Sequence, residues 1–242
     1  MCVSGCSRSQ PPQRTIGPGP TDCTTECPVQ RNFVIVYGDP GQGAHNAGRL
    51  FQLAANTHER EIQAGSFPKN TPAFVAGIDR IAVTHISTVA DLVSPVSVGD
   101  VVYLAYFGHS GPSRGLGLEP GPGALFIGDA ASPGSNLTIR GTEFDRPATD
   151  IPADKFRTDA QVRLFGCRGG FGLDPIARQM ADQLRIAVYA YTNHGGSLFT
   201  TDPALGHGRR AVKKADIDTP PARNSTSVWL VPINGSPTFG RF

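Results

Sequence analysis

The chain of 242 residues carries little charge and has no long apolar run. Charged residues make up 17% of it and the net charge is +2, which argues against a coiled coil, a charged disordered tail or a protein that tracks nucleic-acid phosphates. No apolar run approaches the roughly 18 residues of a membrane span, so we expect no membrane partner. Residues 1–31 also lack the apolar segment, roughly 7–15 residues long, that a secretion signal needs.

Cysteine is scarce and unevenly placed. Four of the five cysteines lie in residues 1–31 (Cys2, Cys6, Cys23 and Cys27), and Cys167 stands alone. The two C-x3-C pairs fit a structural metal site, a disulfide or a flexible leader rich in cysteine and proline, and the sequence leaves these three open. We expect residues 1–31 to be a leader or linker.

Alternating apolar segments and turn residues predict one α/β domain over residues 32–242, with a core at 32–200 and a tail at 201–242 that holds the last strand. β-Branched and aromatic runs predict strands at residues 32–37, 81–86, 100–107, 124–127, 136–139, 161–165, 186–191 and 227–233. Helical spacing predicts helices at 50–62, ended by Gly65, and at 175–184, a short helical or loop stretch at 88–93 and a helical turn at 154–159. Dense glycine and proline predict a loop without regular structure at 108–123. The apolar run at 100–107 is typical of a parallel strand buried on both faces, so we expect a mainly parallel sheet flanked by helices.

Two chemically reactive side chains directly follow buried strands. His109 follows the strand that ends at Phe107, and Cys167 follows the strand that ends at Phe165. Ligands of open parallel sheets bind beyond the carboxyl ends of the strands. If these two strands are neighbours, a nucleophilic thiol and an imidazole base emerge at the same edge.

The segments Gly108-His109-Ser110-Gly111 and Phe165-Gly166-Cys167-Arg168-Gly169, each closing an apolar strand, resemble the caspase-like cysteine peptidases, the superfamily of caspases, metacaspases and clostripain-like enzymes. The caspase signature is Q-A-C-[RQG]-G with a histidine about 50 residues upstream. The resemblance covers residues 32–200 and implies a three-layer fold with a mainly parallel central sheet. It implies Cys167 as nucleophile, His109 as acid/base partner, and an oxyanion hole made by the backbone amides of Cys167 and of Ser110 or Gly111. It implies no metal and no other cofactor.

The resemblance also bears on the substrate, which it implies is a protein or peptide. Caspases bind an acidic residue through a glutamine, where this chain has Phe165, and through arginines that it lacks, so cleavage after aspartate is not expected. Asp39 and Asp202 resemble the acidic lining of relatives that cleave after arginine or lysine, which favours a basic residue before the scissile bond. Thr192 and Asn193 follow the strand whose end lines the substrate cleft in this family.

The substrate could include the chain itself or a longer parent protein, since exposed loops are expected at 112–123 and 140–153. We expect no nucleic-acid partner. A toxin or defence effector fits these features, either cytoplasmic or delivered as part of a secreted effector.

Two other functions stay open. Gly108-His109-Ser110-Gly111 partly matches the G-x-S-x-G elbow of α/β-hydrolases, which would make the chain a serine esterase using Ser110, although Pro112 stands at the fifth position. The second open function is a catalytically inactive caspase-like adaptor.

His194 is a rival base because it also follows a predicted strand. Solvated or capping roles are expected for the remaining histidines, His45, His58, His85 and His207.

Overall fold

The computed structural model describes residues 28–38, 47–67, 71–86, 89–110, 115–117, 124–126, 146–147, 151–166, 169–170, 175–192, 197–206, 221–222, 224–233 and 239–242. Within these ranges the helices are α1 (Ala47–Gln63), α2 (Val89–Val96) and α3 (Ile176–Leu184). The strands are β1 (Asn32–Gly38), β2 (Arg80–Ile86), β3 (Val101–Phe107), β4 (His109–Ser110), β5 (Gly115–Gly117), β6 (Ala124–Phe126), β7 (Arg146–Pro147), β8 (Phe156–Phe165), β9 (Ala187–Tyr191), β10 (Ser197–Thr200), β11 (Trp229–Pro232) and β12 (Phe239–Arg241).

Six of these strands form one sheet in the order β12-β9-β8-β3-β1-β2. All neighbouring pairs from β9 to β2 are parallel, and β12 runs antiparallel to β9. Every residue of the central strand β3 is buried, because chain covers both faces of the sheet there. The predicted α/β class with a mainly parallel sheet is therefore confirmed.

The two faces of the sheet pack against different elements. One face lies under α2 and α3, and its core is mostly aliphatic, with Val34, Leu104, Val162, Leu164 and Val188 against Leu92, Ile176 and Met180. The opposite face lies under α1 and β11 and is rich in aromatic rings, with Phe33, Tyr103, Phe107, Phe165 and Tyr191 near Phe51, Ala54, Ala55 and Leu230. Strand side chains alternate between faces, so one set of strands builds both cores and gives a three-layer arrangement.

Helix α1 buries a slightly different stripe from the predicted one. Leu50 and Leu53 are half-buried, whereas Phe51 and Ala55 are fully buried beside Ala54 and Ile62. The helix ends at Gln63, two residues before Gly65, as predicted. The aromatic side chain of Phe51 fills the space between α1 and β10, where it meets Phe199 edge-to-face with ring centroids 5.1 Å apart.

The amino ends of the central strands are tied by charged and polar side chains. Arg31, just before β1, donates from Nε to Asp79 Oδ1 at 2.9 Å, and its Nη2 pairs with the other carboxylate oxygen. The backbone N–H of Val75 donates to the same carboxylate at 2.7 Å. Asn32 donates to the carbonyl of Gly99, next to β3, at 2.6 Å. These bonds join β1 to the segments that lead into β2 and β3.

Two smaller sheets accompany the main one. β10 and β11 pair antiparallel, and β4, β5, β6 and β7 form a four-stranded sheet. The prediction that residues 108–123 lack regular structure is therefore wrong for β4 and β5, which pair with each other. Glycine and proline in a segment do not prevent a two- or three-residue strand when a neighbouring strand supplies its hydrogen bonds. The predicted strand at 124–127 is confirmed as β6, and the one at 136–139 lies outside the described residues.

Two further predictions are corrected. Of the helical turn predicted at 154–159, only residues 154–155 are helical, in the 3-10 turn Ala153–Lys155, and residues 156–159 belong to β8. Val101 pairs with Phe156 while Tyr103 pairs with Gln161, so β8 bulges between these points and its charged residues lie exposed there. The strand predicted at 227–233 is β11, which belongs to the two-stranded sheet. The next strand along the chain, β12, forms an edge of the main sheet.

Candidate active site

Four neighbouring strands of the main sheet end at the same level. Tyr37 of β1 pairs with Phe107 of β3, and Phe107 pairs with Phe165 of β8. In β9, Ala190 pairs with Leu164, which places Tyr191 beside Phe165. Two positions further along the chain come Asp39, His109, Cys167 and Asn193, which we call the strand-end row.

The hydrogen-bond ladder between β3 and β8 continues past the last paired residues. The backbone N–H of Gly108 donates to the carbonyl of Phe165 at 3.4 Å. Neighbouring strands lie about 4.8 Å apart and consecutive Cα atoms about 3.8 Å apart. The two chain segments that lead to His109 and Cys167 therefore leave adjacent strands at matching positions, as the sequence argument required.

The expected site residues differ in how far the structure describes them. His109 and Ser110 form β4, which pairs with Gly117 and Leu116. Asp39, Gly111, Cys167, Asn193 and the rival base His194 lie outside the described residues, as do the four leader cysteines.

Thr192 and Asp202 both lie within the described residues. Thr192 directly follows β9 and is half-buried. Asp202 follows the other end of β10 from Ser197, is exposed, and accepts a hydrogen bond from the backbone N–H of Ala204 at 2.8 Å. Asp202 follows β10, which pairs with β11 and does not belong to the main sheet.

Aromatic rings support the strand ends from the α1 face. The rings of Phe107 and Phe165 stack at 4.5 Å between centroids with an interplanar angle of 7°. The ring of His58, on α1, lies 5.4 Å from Phe107 and 5.0 Å from Phe165. The residues two positions before His109 and Cys167 are thus held against each other by a buried ring stack.

His58 itself is hydrogen-bonded inside the core. It is completely buried, and its Nε2 lies 2.7 Å from the Tyr103 hydroxyl. Burial raises the pKa of the Tyr103 phenol well above its usual value, so this hydroxyl stays protonated. The expectation of a solvated or capping His58 is wrong. Its place on the apolar spacing of α1, four residues after Ala54, was the available signal.

A buried arginine on the same face was not predicted from the sequence. Arg163 of β8 is only 4% exposed, and its guanidinium carbon lies 5.1 Å from the Phe67 ring and 4.8 Å from the Tyr189 ring. Aromatic faces stabilise a guanidinium that is removed from water. An arginine within a predicted buried strand was the one visible sign of this arrangement.

The segment after Cys167 is anchored from two sides. The backbone N–H of Gly170 donates to the carbonyl of Tyr191 at 3.0 Å, and the N–H of Ala177, in α3, donates to the carbonyl of Gly169 at 3.1 Å. Both glycines are buried. The end of β9 and the start of α3 therefore hold the backbone that begins two residues after the thiol.

The serine-esterase alternative meets an obstacle in the structure. A nucleophile elbow places its serine on a sharp turn between a strand and a helix. Ser110 instead lies in β4 and pairs with Leu116 of β5. No α-helix in the described part of the chain starts between β3 and β8.

No family model, curated protein or solved structure matches the chain. The resemblance to caspase-like peptidases therefore depends on the motifs around His109 and Cys167. Among the described residues, no three His, Cys, Asp or Glu side chains converge on a point where a metal ion could bind. All five cysteines lie outside the described residues. None of the helices in those residues is both long and apolar enough to cross a bilayer.

Proposed function

We propose that the chain is a cysteine endopeptidase of the caspase-like kind, with Cys167 as nucleophile and His109 as acid/base partner. The observation that carries the proposal is the pairing of Phe107 with Phe165 on adjacent parallel strands. His109 and Cys167 each follow this pair by two residues, at the sheet edge where ligands of open α/β sheets bind. A thiol and an imidazole in that relation form the smallest set of groups that acyl transfer through a thioester requires.

The chemistry proceeds in two steps. The Cys167 thiolate attacks the peptide carbonyl carbon, and the oxyanion formed accepts hydrogen bonds from the backbone amides of Cys167 and of Ser110 or Gly111. The C–N bond breaks as the leaving amine takes a proton from the His109 imidazolium, which leaves a thioester on Cys167. Water then attacks the thioester as His109 accepts one of its protons, the C–S bond breaks, and the carboxylic acid leaves with the Cys167 thiolate and the His109 imidazolium restored.

Asp39 supports a preference for a basic residue before the scissile bond. It follows β1, the strand next to β3, and so belongs to the strand-end row. A carboxylate there attracts an arginine or lysine side chain of the substrate. Asp202 supports this preference less, because it is exposed and follows β10, which is not a strand of the main sheet. Cleavage of the chain's own loops belongs to the same proposal.

Three matched alanine variants test the function. We expect Cys167→Ala and His109→Ala each to lower kcat/KM on a mixed peptide library by at least about 1000-fold, because removing either half of a catalytic pair removes most of its effect. Ser110→Ala should stay within about tenfold of the wild type, since only its backbone amide contributes. The measurement is cleavage followed by mass spectrometry, with circular dichroism as the check on folding.

The alternatives give different patterns. Loss of activity confined to Ser110→Ala identifies a serine hydrolase and contradicts the proposal. Absence of activity in the folded wild type, together with a Cys167 that a thiol-directed probe labels no faster than a free cysteine, identifies an inactive module. A fall in intact mass of the wild type but not of Cys167→Ala shows cleavage of its own chain.

A further inference from the structure

The backbone at Gly170, three residues after the candidate nucleophile, is packed without room for a side chain. A Cβ atom added to Gly170 would lie 2.8 Å from Cε2 of Phe242 and 3.2 Å from the Thr192 methyl group. Carbon atoms in van der Waals contact are about 3.5–4.0 Å apart, so the Phe242 ring occupies the space of a Gly170 side chain. The ring thus lies directly against the backbone three residues after Cys167.

Phe242 is itself held by two elements of the main fold. Its backbone N–H donates to the carbonyl of Val188 in β9 at 2.9 Å, and its carbonyl accepts from the N–H of Val188 at 3.4 Å. The guanidinium carbon of Arg178, on α3, lies 5.8 Å from the ring centroid. The ring is half-buried and packs against the aliphatic core under α3.

Thr192 closes the other side of the same contact. Its methyl group lies where Cβ atoms of Gly170 and Gly240 would be, 3.2 Å and 2.5 Å from their ideal positions. Gly240 lies in β12, and Phe242 directly follows this strand. The edge strand β12 therefore meets the end of β9 and the Gly170 backbone in one tight cluster formed by Gly170, Thr192, Gly240 and Phe242.

We propose that Phe242 is a positioning residue for Cys167, and that its ring fixes the Gly169–Gly170 backbone and so the placement of the thiol and of the Cys167 amide. This inference rests on the proposed function. The hydrogen bonds from the Gly170 N–H to the Tyr191 carbonyl and from the Ala177 N–H to the Gly169 carbonyl hold the segment against β9 and α3, and the ring limits its movement toward β12. Displacement of a reacting group by about 1 Å is enough to cost two orders of magnitude in rate.

Phe242→Ala tests the proposal, with Met180→Ala as its matched control. Met180 is 1% exposed in the same aliphatic core and on α3, so its truncation lowers stability without opening space beside Gly170. We expect Phe242→Ala to reduce kcat and the alkylation rate of Cys167 by about 10- to 100-fold, with KM changed less than threefold. Met180→Ala, although destabilised by a comparable amount, should keep both rates within about threefold of the wild type when folded. Rates are measured at a temperature where circular dichroism shows each variant folded.

A second pair of variants works from the other side of the contact. Gly170→Ala keeps Phe242 but places a methyl group against its ring, so it should also slow alkylation of Cys167 by about tenfold. Combining it with Phe242→Ala should cost less than the product of the two single effects, because the methyl group then enters the vacated space. Gly170→Ala tests the proposal even if Phe242→Ala does not fold.

Failure of this inference differs from failure of the proposed function. An active wild type whose Phe242→Ala variant reacts as fast as Met180→Ala, or whose Gly170→Ala variant keeps the wild-type rate, overturns the positioning role alone. A folded wild type without proteolysis and with an ordinary Cys167 overturns the function, and the positioning role falls with it.

Discussion

The two ends of the same parallel strands are held in different ways. At the amino ends, charged and polar side chains join the segments, with Arg31 on Asp79 and Asn32 on Gly99. At the carboxyl ends, the described contacts are backbone hydrogen bonds and packed rings, such as Gly108 to Phe165 and the stack of Phe107 on Phe165. The contacts described at the two ends of the sheet are therefore of different kinds.

This difference predicts that stability and chemistry can be changed separately. Charged groups that make their hydrogen bonds within the fold contribute to stability and have no donor or acceptor left to bind a substrate. Under the proposed function, the Cys167 thiol and the His109 imidazole act at the opposite end, where the described packing is made by rings and backbone. The three predictions that follow test this separation.

The largest effect on stability is expected at the amino ends. Asp79→Ala removes the carboxylate that pairs with Arg31 and accepts a hydrogen bond from the Val75 N–H. The Asp79 side chain is completely buried. We expect the free energy of unfolding to fall by about 3 kcal/mol, measured by urea titration, because buried charged hydrogen bonds lose their partner. Alkylation of Cys167 in the folded variant should stay at the wild-type rate. A slower reaction in the folded protein contradicts the separation of the two ends.

Acid should reveal the same pair without any substitution. Burial of the Asp79 carboxylate raises its pKa, but hydrogen bonds from Arg31 and Val75 outweigh this, and the pKa lies below its usual value. A carboxylate with a depressed pKa stabilises the fold above the unfolded value of about 3.9, and this contribution is lost as the pH falls below it. The wild type should therefore lose more stability below about pH 4 than Asp79→Ala does. The control for Asp79→Ala is Arg157→Ala, which removes an exposed ion pair with Asp159. It should change the free energy of unfolding by less than about 0.5 kcal/mol.

A smaller effect is expected midway along β3. Tyr103→Phe removes the hydroxyl that bonds His58 and should cost about 1 kcal/mol of unfolding free energy. His58→Phe combined with Tyr103→Phe should cost less than the sum of the single changes, because both partners of the buried bond are then replaced by apolar rings. Additive costs in the urea titrations contradict a direct bond between the two side chains. Because His58 contacts Phe107 and Phe165, the same variants show how far a change reaches toward the strand-end row.

The central strands could be predicted because their own residues specify them. The apolar runs that became β3 and the second half of β8 are almost continuous, which only burial on both faces explains. Placing His109 and Cys167 at one edge required one further assumption, that these strands are neighbours. The parallel pairing of β3 with β8 confirms it.

Elements created by distant partners could not be predicted in this way. β12 contains only Phe239, Gly240 and Arg241, and it becomes a strand because β9 supplies an open edge. A solvated or capping role was expected for His58 because the sequence showed no partner for it, and its partner Tyr103 lies 45 residues away. The role of Gly170 depends on Phe242, a residue far along the chain whose own sequence context has no periodic pattern.

The most direct test of the pairing between His109 and Cys167 is the pH dependence of Cys167 alkylation, in the wild type and in His109→Gln. Peptide mapping separates Cys167 from the four leader cysteines. The wild-type rate should stay high well below the free-thiol pKa of about 8.5, because an adjacent imidazole promotes the thiolate. In His109→Gln the rate should follow the titration of an ordinary thiol. Superimposable profiles for the two folded proteins would show that His109 does not act on Cys167, and would contradict the proposed catalytic pair.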